Sequence, residues 1–445
     1  MQSKPRIVII GGGAGGIELA IRLAQSTRRG RDAEVILVDR RPTHLWKPRL
    51  HEIAVGLLVA SEDETSFAAQ AAHHGFEFVL GEMTAFDPAQ RLVEIAAVKC
   101  PSDLVDAATI GELLPQRTLH YDLAVLAIGS TVNDFGTPGV SEHCYTLDSP
   151  EQAQRLNRAF LSFAMLQRQD ASARIRVAIV GAGTTGVELA SELRNAAQRL
   201  VGYRSLQDHR QVQIEIIEMA NRPLPGADRR VSNVAQSILR QHEIDTHFGA
   251  KVERISAGMV HLADGNSLPA DIIVWASGVR GHRIVSFIPG LQPGRDGRVR
   301  VDDMLRAIDR DGSPIPGLYC IGDCAAYREK GSDTPIAATA QAAHQQAVLL
   351  ARSLAGQLAG KQPLRFRYRY RGTVVSLGHA KATGTMPAMP IAKSVAIHGI
   401  AAKAVYTSLY RMHLTILFGW WRMIALTLSG MLRRSASPSV KLDWH

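Results

Sequence analysis

Two glycine signatures of one form, beginning at Gly11 and at Gly181, constrain this chain more than any other feature. The first reads Gly11-Gly-Gly13-Ala14-Gly15-Gly16 after the apolar run Arg6-Ile-Val-Ile-Ile10, and the second reads Gly181-Ala-Gly183-Thr184-Thr185-Gly186 after Arg176-Val-Ala-Ile-Val180. In a strand–turn–helix unit the first glycine permits a tight turn, the second lets backbone approach a pyrophosphate, and the third lets the helix pack on the strand. The helix N-terminus then faces the phosphates. One match alone is weak, because any glycine-rich turn can produce it. Two matches, each framed by an apolar strand and an Ala/Leu-rich helix, predict two dinucleotides.

The stretches around the two turns are organised alike. The first continues as a helix from about Ala14 to Gln25 and a strand from Glu34 that ends at Asp39, a mononucleotide-binding unit. The apolar run from Tyr121 to Gly129 reads as a buried strand returning to the same sheet. A helical segment from Pro150 to Gln167 leads into the second unit, whose strand Val212 to Ile217 ends at Glu218. Its glycine-to-acid spacing is long, which an extended helix and loop over 194–210 accommodates at little cost. Asp271 to Gly278 repeats the strand-to-glycine pattern, and Gly317 to Asp323 precedes an Ala/Gln-rich helix expected from about Pro335 to Leu354. The fold class expected is α/β, with two Rossmann-like dinucleotide-binding domains, the second inserted in the first, plus a C-terminal amphipathic helical membrane-anchoring region. The boundaries expected are 1–148 with 280–380, then 149–279, then 381–445.

Charge is unevenly spread. Residues 361–445 carry 13 Lys or Arg against one acid, Asp443, giving +12; subtracted from the chain's +10 this leaves −2 for the first 360 residues. The tail is also rich in Leu, Ile, Met and Trp, so an anionic membrane surface explains it better than a nucleic acid does. Lys393 and Lys403 interrupt one helical stretch there, and Arg411, Arg422 and Arg433 a second, so neither is expected to span a bilayer. An in-plane anchor is expected instead, with Tyr406, Tyr410, Trp420 and Trp421 at headgroup depth; a helix packed on a dimer partner is the alternative. Cys100, Cys144, Cys320 and Cys324 form no CxxC pair, which argues against a disulfide scaffold or a zinc site and for a reduced, cytoplasmic setting. The first strand begins by Arg6, so no secretory signal is expected.

Asp39 and Glu218 end the strands where a carboxylate can bond the adenosine ribose hydroxyls of FAD or NAD; a solvated strand-end acid is the plain alternative for each. A carboxylate there repels a ribose 2′-phosphate, so NADH is expected over NADPH at the second turn. Gly322-Asp323 follows an apolar strand and places a carboxylate where a flavin ribityl chain can bond it, which assigns FAD to the first turn. Arg40, Lys47, Gly129 and Gly278 complete the expected cofactor-binding set, and no metal site is expected.

This order of elements resembles the pyridine nucleotide:disulfide oxidoreductase-like flavoproteins, but the helix after the first turn has no cysteine, so disulfide reduction is not expected. Within that group the chain is most similar to the type II, non-proton-pumping NADH:quinone oxidoreductases, through Gly11–Ala20, Thr43–Leu50, Thr185–Ala190 and Ala340-Gln341-Ala-Ala-His-Gln345-Gln346. The resemblance implies that Gln341 and Gln345 lie near the quinone carbonyls, that Glu188 orients NADH or relays protons, and that Lys381 borders the quinone channel. Ala347 stands where that family commonly has glycine. The implied activity is NADH oxidation through FAD to a membrane quinone, by a peripheral protein on the cytoplasmic face of the cell membrane, with a homodimer compatible. His44, His51 and His344 are expected to make packing or polar contacts.

Three other readings share parts of this pattern. A sulfide:quinone oxidoreductase needs cysteines at the flavin, for which Cys144 with Cys320 or Cys324 are the candidates. A ferredoxin or rubredoxin reductase would lack the basic apolar tail. A membrane-tethered redox sensor would hold both nucleotides without turnover.

Overall fold

Near-continuous apolar runs form the centre of each of two compact units, as expected of parallel strands buried on both faces. The computed structural model describes residues 4–28, 30–101, 111–167, 173–378, 382–386 and 395–436. One unit comprises Met1–Trp46, Glu64–Thr131 and Val279–Arg369; the other comprises Lys47–Asp63, Val132–Gly278 and Tyr370–His445.

The first unit is built on an eight-stranded sheet. Strand Arg6–Ile10 sits inside it, parallel to Glu34–Asp39 on one side and to Leu123–Leu126 on the other. Glu77–Leu80 continues the parallel set beyond Glu34–Asp39, and Pro314–Cys320 beyond Leu123–Leu126. The returns of the 121–129 and 317–322 runs to the first sheet are therefore as the sequence predicted. The Ala/Gln-rich helix is Ala340–Leu358, starting later than Pro335 because the Thr339 side chain accepts the Ala342 N–H and caps it. It packs on the first glycine helix, Ala14–Ser26; a Cβ at Gly15 would stand 3.3 Å from that of Ala343.

The second unit repeats the plan with four parallel strands, ordered Asp245–Phe248, Val212–Glu218, Ile175–Val180 and Ile272–Trp275. Helix Thr184–Gly202 follows its glycine turn. The buried Arg194 guanidinium explains the long spacing to Glu218: it donates to the carbonyls of His209, Val212, His242 and Glu243 at 2.7–3.0 Å, tying the loop after the helix to the sheet.

The division of the chain differs from the expected boundaries. Residues 132–148 lie in the second unit because Tyr145 bridges Ile273 and Trp275 through its backbone and the Trp275 indole donates to the Asn133 carbonyl. Lys47–Asp63 lies there too. Lys47 pairs with Asp148, Asn157 donates to the Ala54 carbonyl, and Arg49 is gripped by Glu52 and Asp63 beneath the Tyr410 ring.

The C-terminal region also departs from expectation. The stretch anticipated as a first helix contains strands Ala382–Met386 and Val395–His398, antiparallel partners that extend Thr373–Ser376 into a three-stranded sheet. Thr and Val supply the β-branched content that the alanines obscured. The second stretch is a helix from Ile400 to Ala436, broken at Gly419 (φ 76°, ψ 174°). By length and composition Ala404–Leu432 would suffice to cross a membrane, so the charge interruptions do not exclude spanning as the sequence reading held. Tyr406 and Tyr410 are turned inward, the first with its hydroxyl buried and the second against Arg49, so these two rings are not offered outward as an interfacial pair. Trp420 and Trp421 are 65% and 82% exposed.

Candidate active site

At the first turn the three glycines divide the work as their spacing implies. Gly11 has φ 103°, and a Cβ on it would stand 2.4 Å from the Ala127 carbonyl oxygen; a Cβ on Gly16 would stand 1.9 Å from that of Gly11. Gly13 is different, since a Cβ there meets nothing within 4 Å. It caps the helix with no side-chain hydrogen bond, leaving the first-turn N–H groups without a capping side chain. Such a cradle fits a pyrophosphate.

Asp39 holds this turn. Its carboxylate accepts the Gly12 N–H at 2.6 Å and the Arg41 N–H at 2.9 Å. Burial raises its pKa, and the two N–H groups and the neighbouring arginines oppose that. Two further residues shape the turn without having signalled it in sequence. The buried His44 places Nδ1 2.9 Å from the Gly12 carbonyl; since a carbonyl only accepts, Nδ1 carries the proton, and burial pushes the imidazole pKa down to about 4. Phe67 lies against Gly12, where a Cβ would come within 2.2 Å of its ring. Arg40 is exposed and faces Glu82 at 3.7 Å.

The same unit carries Gly129, Ser130, Gly322 and Asp323. Gly129 and Gly322 both have positive φ, 72° and 75°, and Ser130 Oγ stands 3.5 Å from Asp323 Oδ2. The Gly322 N–H donates to Gln346 Oε1 at 2.7 Å, so the buried third glutamine of the helix fixes the turn that presents Asp323. The other two glutamines face a different neighbour. Gln345 makes a two-way amide bond with the Arg369 backbone at 2.8 and 2.9 Å, and Gln341 Oε1 accepts the Tyr368 hydroxyl at 2.9 Å. His344 meets the buried Glu18 at 2.8 Å, and Glu18 also accepts from Arg22, which pins this helix to the first glycine helix. Ala347 is fully buried.

The second unit reproduces the turn. A Cβ on Gly181 would stand 2.7 Å from the Ala276 carbonyl oxygen and one on Gly186 2.0 Å from that of Gly181, while Gly183 again opens on space. Glu218 does what Asp39 does in the first unit, accepting the Ala182 N–H at 2.7 Å and the Ala220 N–H at 2.8 Å. Thr184 and Thr185 are exposed at the helix start, and Gly278 has φ 75° beside the Phe135 ring. One turn further along, the buried Glu188 accepts the Ser376 N–H at 2.9 Å and faces His51 Nδ1 at 3.5 Å. Glu192 follows it, held by Asn195 at 3.1 Å. Lys47, expected among the cofactor groups, instead pairs with Asp148 in this unit. Lys381 lies outside the described residues.

Two of the cysteines are held as thiols: burial pushes Cys144 up to about 12 and raises Cys320, whose Sγ lies 3.3 Å from Cys324 Sγ with both side chains fully buried.

Known proteins match this arrangement. The pyridine nucleotide-disulphide oxidoreductase family matches residues 5–347. A type II NADH:quinone oxidoreductase of Haemophilus influenzae is 34% identical over 98% of this chain and 99% of its own length. An NDH2 of Plasmodium falciparum, solved in complex with NADH, superposes with a TM-score of 0.81 at 17% identity, covering 99% of this chain and 100% of that one. The sulfide:quinone oxidoreductase of Aquifex aeolicus shares the fold at a TM-score of 0.72 and 16% identity, over 97% of this chain and 95% of that one. With the matched span and the near full-length identity to the Haemophilus protein, the chain belongs to the pyridine nucleotide-disulphide oxidoreductase family and, within it, to the type II NADH:quinone oxidoreductases.

Proposed function

We propose that the first turn seats FAD and the second seats NADH, and that the glutamine helix Ala340–Leu358 borders the quinone. The enzyme carries electrons from NADH through flavin to quinone. The observation that carries the allocation is Gln346: its amide fixes the Gly322 N–H and so presents Asp323, a carboxylate suited to a ribityl chain, beside Ser130 in the unit of the first turn. Among the described residues the second unit has the matching turn and strand-end acid without that ribityl carboxylate pattern. Bound FAD supplies the redox chemistry, accepting hydride from NADH and yielding two electrons to the acceptor.

The protein's own groups bind and orient. Asp39 and Glu218 fix the two turns and meet the ribose hydroxyls, and Glu218 disfavours a 2′-phosphate by charge. Gly13 and Gly183 give the pyrophosphates backbone access, with Ala14, Gly15, Thr184 and Thr185 offering N–H groups at the helix starts. Glu188, with His51 beside it, holds a proton for the quinol product, whose formation takes up protons as well as electrons. Gln341 meets the acceptor, and Gln345 sets the edge of its site through Arg369. Lys381 is retained as a channel residue on the resemblance alone.

The exposed Trp420, Trp421 and Leu432 support peripheral attachment through the last helix, and the break at Gly419 favours an in-plane path over a single straight span. The cytoplasmic face of the cell membrane and a homodimer complete the proposal. The test is anaerobic flavin bleaching by NADH, NADPH or sulfide in turn, followed by turnover with ubiquinone-like and menaquinone-like acceptors. Rapid bleaching by NADH alone is expected. Bleaching by sulfide in place of NADH, or none at all, overturns the reading.

A further inference from the structure

The segment Arg365-Phe-Arg-Tyr-Arg369 alternates basic with aromatic residues, and the structure gives the two sets opposite tasks. The aromatic set faces inward. Phe366 is buried in an edge-on contact with Tyr327, 4.9 Å between ring centres, and its carbonyl accepts the Tyr327 hydroxyl at 2.9 Å. Tyr368 bonds Gln341, and the Arg369 backbone is clasped by Gln345. The chain is thus fastened at three points, one on Tyr327 and two on the glutamine helix. Arg365, Arg367 and Arg369 are left exposed on the other side, each no more than about 7 Å from the next along an extended chain. Arg365, 73% exposed, meets half-exposed Asp303 at 3.4 Å; among the described residues Arg367 and Arg369 make no ion pair.

We infer that this arginine strip is a docking edge for anionic lipid headgroups, which sets the glutamine helix against the bilayer surface from which quinone enters. The inference rests on the quinone reading of that helix. Fixed cations on a locked backbone lose little freedom on meeting a charged surface, and each basic side chain near an anionic leaflet contributes about fivefold in affinity. A single-stranded nucleic acid fits less well: it requires a series of outward aromatic platforms, and here Phe366 and Tyr368 face the protein, so that within 365–371 only Tyr370, 51% exposed, is offered outward. The strip lies outside the last helix, so it is a second membrane contact with its own salt dependence.

The experiment uses the full-length flavin-loaded protein and the variants R365Q/R367Q and R365K/R367K. Binding is measured on phosphatidylcholine vesicles with and without phosphatidylglycerol across a salt series, beside NADH oxidation with a short-chain, water-soluble quinone. R365Q/R367Q should bind phosphatidylglycerol vesicles at least tenfold more weakly, with a shallower salt slope, and should bind phosphatidylcholine as before. R365K/R367K should retain the binding, and soluble-quinone turnover should be unchanged in both. Equal binding of wild type and R365Q/R367Q overturns the inference, as does an equal loss in the lysine variant, which keeps the charge. Failure of wild type to turn over the soluble quinone would instead defeat the enzymatic reading, independently of the vesicle result.

Discussion

Alanine placed separately at Gly13 and Gly183 tests which dinucleotide occupies which turn. Both positions have backbone angles that any residue adopts, φ −59° with ψ −178° and φ −70° with ψ −176°, and at neither would a Cβ meet an atom within 4 Å. Folding should therefore be nearly indifferent. Replacing a glycine cap by alanine costs about 0.5–1 kcal/mol, and stiffening the unfolded chain returns about 0.4–1 kcal/mol. The added methyl instead fills the space through which backbone approaches a pyrophosphate. Displacing a bound dinucleotide by about 1 Å costs on the order of 100-fold, or about 2.7 kcal/mol. The third glycines behave in the opposite way. At Gly16 and Gly186 a Cβ would stand 1.9 and 2.0 Å from a backbone oxygen, against ordinary contact from 3.4 Å, so the helix must move more than 1 Å and the fold itself is destabilised by about 1–3 kcal/mol.

The measurements are flavin stoichiometry, Tm of the flavin-stripped proteins, and KM and kcat for NADH. G13A should release flavin, recover activity when FAD is added in excess, and keep its KM for NADH. G183A should retain full flavin while its KM for NADH rises ten- to a hundredfold. Flavin loss in G183A with a normal KM for NADH would reverse the two seats. A fall of more than about 5 °C in stripped-protein Tm for either variant would refute the claim that these positions open on free space.

Three further outcomes follow from single side chains. Glu188→Gln keeps an oxygen for the Ser376 N–H but removes the charge facing His51; steady-state quinone reduction should slow about 100-fold or more while NADH still bleaches the flavin in one turnover, and unchanged turnover removes Glu188 from proton handling. His44 titrates near 6.5 when unfolded and near 4 when folded, so its contribution is fully present above pH 6.5 and is lost as pH falls toward 4, in total roughly 3 kcal/mol; urea midpoints of His44→Gln should fall less steeply than wild type across that window, and parallel curves refute the assignment. Arg194→Met strips four carbonyls of their donor and should cost about 3–5 kcal/mol in urea unfolding, whereas a loss below about 1 kcal/mol would mean that water replaces the guanidinium.

What was legible in the sequence and what was not divide along a physical line. A phosphate cradle is a local object: the spacing of Gly11, Gly13 and Gly16 and the acid at the end of the next strand are fixed by one turn and one register, so the doubled signature carries both sheets and the strand-end positions of Asp39 and Glu218, though not their bonds to the Gly12 and Ala182 N–H groups. The glutamine helix is not local in this sense. Nothing in Ala340–Gln346 says that Gln346 turns inward to the Gly322 N–H while Gln345 turns outward to Arg369, because those directions are set by partners 24 residues away on opposite sides, and His344 meets a glutamate 326 residues distant. The tail was misread for a related reason. Lys393, Lys403, Arg411 and Arg422 read as interruptions along two helices, but Ala382–Met386 pairs with Val395–His398 as strands and a positive φ at Gly419 divides the later helix, so the spacing of charges does not measure a continuous span. What survives is a property that needs no register. The basic excess of the last 85 residues includes Arg365 and Arg367, whose neighbours Phe366 and Tyr368 face inward, so the charge is offered to the surroundings before the apolar helix begins. On the proposed membrane reading, an anionic bilayer is met first by field and then by burial, and the two contacts separate experimentally because salt weakens only the first.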